Sequence, residues 1–212
     1  MKRTIRLLLL AAALLTACNN PDPFQYRVFT MGFPNPDGSL FGDDGNTYFF
    51  EEKTDWNGAE RVVAIFDVLK SVADSTYQAR LQSYLVPLYK KPVVYKGELP
   101  DSLGAFPIRI SDAWYGGRCI NMYNVISVRE DGAGLHRINL AFDEEASVAD
   151  TLYFTLTHNF AEGAEETLAL VDYGFYTSFN LDGLLPERDS IAIKIDWSWD
   201  GNSSSSAGKV KI

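Results

Sequence analysis

LHRINLAF, residues Leu135–Phe142, and LYFTLTHNF, residues Leu152–Phe160, decide the fold. In the first, His136, Ile138, Leu140 and Phe142 stand at every second position. In the second, Leu152, Phe154, Leu156, His158 and Phe160 do the same. A period of two is that of an extended strand with one buried face. The acidic stretch Asp143–Asp150 between them reads as a loop, so the two runs are expected to form an antiparallel hairpin. A register centred on Ser147 sets Phe142 opposite Leu152, Leu140 opposite Phe154, and His136 opposite His158. Directly opposed side chains have Cβ atoms about 4.5–5.5 Å apart, so the chain's two histidines would meet at the rim of the core face.

The same alternation recurs outward from this hairpin. Further strands are expected at Phe24–Thr30, Thr47–Glu51, Arg61–Lys70, Tyr77–Leu88, Ile108–Trp114 and Ile120–Arg129. Tyr173–Asn180, Ser190–Trp199 and Lys209–Ile212 complete the set. Helical periodicity is nearly absent, and Gly, Pro, Asn and Asp separate the runs, which makes the chain all-β. Tyr95–Pro107 reads as a linker, since it holds Gly97, Pro100, Gly104 and Pro107 with little periodicity. It divides the chain into modules at residues 24–97 and 98–212, with most of the acidity in the second. Asn35–Ser39 and Gly42–Asn46 read as β-turns around Asp-Gly and Asp-Asp-Gly; counted from Asn35, Leu40 and Asn46 occupy the places where a calcium loop needs glycine and glutamate. Ser203–Ser206 is expected to be a loop tip.

The amino terminus carries an address. Lys2, Arg3 and Arg6 precede an unbroken apolar run, Leu7–Leu15, far short of the ~20 residues a bilayer span needs. Leu15-Thr-Ala-Cys18 closes it and resembles the lipobox of bacterial lipoproteins. Residues 1–17 are then a lipoprotein signal peptide, Cys18 the site of lipidation through a thioether, and 18–23 a tether. Two or three acyl chains, palmitate among them, make a stable anchor where one does not. Asn19, standing where an aspartate would favour inner-membrane retention, points to the outer membrane, with the periplasmic or external face left open.

With 28 acidic against 19 basic residues, and three of the basic ones in the leader, the surface repels nucleic acid and anionic headgroups. Apolar residues make up 46% of the chain, which excludes disorder as the state of the whole. Once Cys18 is lipidated, Cys119 has no disulfide partner, and its alternating context makes it a buried structural thiol.

With these pieces placed, the chain resembles the NigD-like lipoprotein family. His136-Arg-Ile-Asn-Leu140, Leu156-Thr-His-Asn-Phe160, Thr177-Ser-Phe-Asn-Leu-Asp-Gly-Leu184 and Asp189-Ser-Ile-Ala-Ile193 carry the likeness. Asp44-Gly-Asn-Thr-Tyr48, Arg61-Val-Val63 and Pro87-Leu-Tyr-Lys-Lys91 extend it into the first module; Asn180 departs from the usual aspartate. The resemblance implies a small OB-like barrel followed by an antiparallel β-sandwich. It implies no enzymatic activity and no cofactor.

The residues carry no nucleophile elbow, phosphate loop or zinc-protease helix. Glu51-Glu52, Glu144-Glu145 and Glu165-Glu166 are adjacent pairs, which point to opposite faces of a strand. Two candidate sites remain. His136 and His158 are a structural pair, a pH-sensitive pair, or two ligands of a metal. Trp114, Tyr115, Trp197 and Trp199 pack in the core or form a platform for a sugar ring, Trp197 and Trp199 sharing one strand face. The expected function is that of a non-catalytic, membrane-anchored envelope lipoprotein that binds or supports a protein or glycan partner.

Overall fold

The computed structural model describes residues 25–129, 135–148, 150–161 and 170–212. The leader, Cys18, the tether and Glu165-Glu166 lie outside them.

The first module is a closed barrel of β1 (Tyr26–Pro34), β2 (Leu40–Gly42), β3 (Thr47–Phe50), β4 (Val62–Ala73) and β5 (Thr76–Leu85), in the order β1-β2-β3-β5-β4. Val62, Ala64, Phe66 and Val68 alternate along β4 and are buried with Leu40, Tyr48, Trp56 and Ala79. Burying such a side chain stabilises the fold by roughly 1.5–3 kcal/mol. Three register shifts between β4 and β5 let the long strand coil, as closing a small barrel demands. The two expected turns are turns. Gly38 and Gly45 take φ of 90° and 80°, and Asp37 Oδ1 accepts from the Ser39 N–H at 2.9 Å.

The second module is a two-sheet sandwich. Its strands are β6 (Leu88–Lys90), β7 (Val93–Tyr95), β8 (Arg109–Gly116), β9 (Cys119–Arg129), β10 (Leu135–Val148), β11 (Thr151–Ala161), β12 (Leu170–Asn180), β13 (Ser190–Trp199) and β14 (Asn202–Lys211). One sheet runs β14-β13-β11-β10-β7, the other β6-β12-β9-β8. The apolar faces of β9, β10, β11 and β13 meet in one core that includes Ile120, Met122, Leu140, Phe154, Phe179 and Ile193. Cys119 is buried and free, as expected.

Four details differ from the sequence reading. First, β6 pairs with β12 and β7 with β10, both in parallel, so the sandwich begins at Leu88, before Gly97. Second, the β10–β11 register is Phe142↔Phe154, Leu140↔Leu156, Ile138↔His158 and His136↔Phe160, a slip of two residues. The cause is the turn: β10 runs on to Val148 through an irregularity after Asp143, where Asp143 Oδ1 accepts from the Glu145 and Ala146 N–H groups. Third, Ser203–Ser206 lies within β14, and the reversal is made by Asp200-Gly201, both at positive φ, the torsions a two-residue hairpin needs. Fourth, the segment read as a linker is laid across β11. Leu103 is buried in a single 3-10 turn at Asp101–Leu103, the Phe106 N–H donates to the His158 carbonyl, and the Ile108 N–H donates to the Ser198 carbonyl.

The modules are joined through Arg61, at the head of β4. Its side chain is fully buried and forms an ion pair with Asp43 at 2.6 Å. It also donates to Ser178 Oγ at 3.1 Å and to Asn121 Oδ1 at 3.1 Å, and stacks over the Phe33 ring. Asp43 and Phe33 belong to the barrel; Asn121 and Ser178 lie on β9 and β12.

Candidate functional site

His136 and His158 do meet, on a diagonal. His136 Nδ1 and His158 Nε2 are 2.9 Å apart, and the rings stack with centroids 5.1 Å apart. Phe160 stacks on His136, with ring centroids 4.7 Å apart, and Phe106 packs against both His158 and Phe160. His158 Nδ1 lies 3.0 Å from the Pro107 carbonyl oxygen. A carbonyl only accepts, so His158 Nδ1 carries the proton and, in the neutral ring, Nε2 accepts. His136 Nδ1 is then the donor of the shared bond, and His136 Nε2 keeps a free lone pair. The relay runs from His136 to His158 to a backbone carbonyl.

Burial lowers both pKa values. His158 is 3% exposed; desolvation and then the adjacent His136 depress it, against the opposing pull of the Pro107 carbonyl. His136 is depressed by desolvation alone. The relay occupies the nitrogens that a metal shared by both rings would take, and among the described residues no group of three or more His, Cys, Asp or Glu converges as a ligand set.

His136 also borders a groove of about 320 Å³ at the open end of the sandwich. Leu88, Ile126, Val128, Ile138, Tyr173 and Phe175 line the rest of it. Strand alternation puts these residues on the inner faces of their sheets, yet Tyr173 is 56% exposed. The groove offers apolar walls and one imidazole acceptor, which suits an apolar group carrying a hydrogen-bond donor.

The four aromatic candidates are not brought together as one platform. Trp114 packs between the modules against Phe29 and Tyr176. Tyr115 and Trp197 are half-buried against the sandwich core. Arg109 lies over the Trp199 ring, 5.2 Å from its centroid. Sequence reasoning missed Arg61, Asn121 and Ser178: a lone arginine before an apolar run gives no sign that it will be buried. The resemblance did single out Arg61 and Ser178 as parts of its motifs.

No protein-family profile matches the chain, and no curated protein is similar to it in sequence. Solved structures are. A protein of unknown function (DUF1344) from Bacteroides vulgatus superposes with a TM-score of 0.68 at 17% identity, over 88% of this chain and 92% of that one. A NigD-like immunity protein from Bacteroides caccae matches with a TM-score of 0.59 at 18% identity, over 88% and 97% of the two chains. The fold is that of the NigD-like proteins. A candidate lipoprotein from Bacteroides fragilis shares it too, with a TM-score of 0.59 at 8% identity, over 89% and 98% of the chains. The NigD-like fold thus spans both modules, barrel and sandwich, as the sequence motifs implied.

Proposed function

We propose that this protein is a non-catalytic lipoprotein of the cell envelope, anchored in the outer membrane through lipid on Cys18, which binds a partner at the open end of its sandwich. The groove between β9, β10 and β12 carries this reading: an apolar cleft with an exposed Tyr173 and a single imidazole acceptor is built for contact, and among the described residues its lining brings no nucleophile together with a base. The Leu15–Cys18 box supports the anchor. The likeness to a candidate lipoprotein and to an immunity protein supports an envelope role without catalysis.

Two measurements test it. Mass spectrometry of the mature amino terminus should find a diacylglyceryl thioether on Cys18, and Cys18→Ser should move the protein from the membrane to the soluble fraction. A photo-crosslinking benzoylphenylalanine placed at Tyr173, in cells, should give discrete adducts that the same group at Val72, an exposed site on the barrel, does not. Equal labelling from both positions, or none from Tyr173, overturns the groove as the binding site.

A further inference from the structure

The sandwich has four edge strands, and three are guarded. β6 and β7 are three residues long, and β8 is broken by a register shift between Ile110 and Asp112. Short or bulged edges resist pairing with another chain. β14 has neither device. It pairs with β13 over ten residues without a shift, contains no proline, and its run Ser203-Ser-Ser-Ser-Ala-Gly208 offers small side chains that leave the backbone accessible. Among the described residues its other side has no neighbour in the sheet.

Beneath this edge lies a pocket of about 240 Å³, bounded by Trp114, Tyr115, Ile193 and Ile195 on the core side and by Ser206, Gly208 and Val210 of β14. Tyr115 Oη is buried there without a hydrogen-bond partner. A Cβ added at Gly208 would meet nothing within 4 Å, so the strand has free space beside it. Val210 packs toward the core, which places Gly208 and Ser206 on the pocket face and Lys209 and Lys211 on the other. In a chain of net charge −9, these two lysines are the strand's only charged residues, and neither forms an ion pair among the described residues.

We infer that β14 is a docking edge for an extended segment of another protein, which adds as a further strand, sets aliphatic side chains into the Trp114–Tyr115 pocket and lays carboxylates beside Lys209 and Lys211. Main-chain hydrogen bonds supply affinity in this mode, and alternate side chains supply selectivity. A second copy of β14 offers no carboxylate, so the charge pattern disfavours self-pairing. The site shares no lining residue with the groove at Tyr173.

The test uses the mature protein and the peptide acetyl-Glu-Val-Glu-Val-Glu-Val-Glu-amide, with a Lys-for-Glu peptide as control. The glutamate peptide should bind saturably and slow amide exchange along β14. Lys209→Glu with Lys211→Glu should weaken it about tenfold and turn the preference to the lysine peptide. Gly208→Phe, filling the pocket from a position with room for it, should abolish binding while the melting temperature holds. Protection mapping to β8 or to the groove, indifference to charge reversal, or sedimentation showing β14 already covered by a second copy would each overturn the inference.

Discussion

At the scale of single residues, the histidine relay makes a pH dependence that can be signed. Both rings have lowered pKa values in the folded chain, so folding favours the neutral forms. Their contribution to stability is complete above the ordinary imidazole value of 6.5 and is lost as pH falls below it. Denaturant midpoints should therefore be level above pH ~7 and decline as the pH falls below 6.5. Imidazole titration by NMR should give both midpoints below that of a free histidine, and nitrogen shifts should show His158 protonated at Nδ1. A titration midpoint above 6.5 for His158 would contradict the relay. The first added proton belongs on His136 Nε2, which leaves every bond of the relay intact. A second, on His158 Nε2, would set two N–H groups against each other.

Arg61 is the other residue whose role can be weighed. Removing one partner of a buried ion pair costs about 3–5 kcal/mol, because the remaining charge stays buried and unpaired. Burial pushes the Asp43 carboxyl up from its usual range, and Arg61 and Asn121 pull it part of the way back. Arg61→Met should lower the unfolding free energy by that amount in urea melts. Adding Asp43→Asn should recover part of the loss, since no lone charge is then left inside.

At the scale of elements, the segment Asp101–Ile108 acts as a strap over the end of β11. Gly104 takes φ of 78°, and a Cβ there would sit 2.6 Å from Asn159 Cα and from the His158 carbonyl oxygen. Gly104→Ala should cost roughly 1–3 kcal/mol from overpacking and backbone strain and shift the His158 ring resonances, which a thermal melt and NMR would record together. An unshifted His158 spectrum would show that the strap does not position the ring.

These elements also show what a sequence can carry. Long strands such as β4 and β13 announce themselves by alternation, because every second residue is pinned to a core. β2, β6 and β7 are three residues long, too short for a period, and β6 and β7 exist through partners distant in the chain. The hairpin register escaped because a slip of two keeps every side chain on its face. The histidines met regardless, since side chains two positions off still reach across a diagonal. Ser203–Ser206 looked like a loop by composition and is a strand by position, held there by β13.

At the scale of the whole molecule, the Arg61 network ties barrel to sandwich through buried polar groups, with Arg61 and Asp43 of the barrel bonded to Asn121 and Ser178 of the sandwich. The two modules should therefore unfold in one transition, observed as coincident fluorescence and circular-dichroism melts. In Arg61→Met that transition should broaden or split, because the surviving contacts around Phe29, Trp114 and Tyr176 are fewer and partly exposed. Two resolved transitions in the unaltered protein would show the modules to be independent.

The barrel's strand order has a mechanical meaning as well. β1 and β4 run antiparallel, with Tyr26 beside Val68 and Gly32 beside Val62. Under the anchoring proposed at Cys18, the load would enter β1 ahead of Tyr26, while Arg61 holds β4 at the opposite end. Such a load is shared along the whole ladder at once instead of tearing it rung by rung. A molecule tugged between a membrane and whatever grips its far module would resist as a shear joint, with its toughest seam at the strand nearest that anchor.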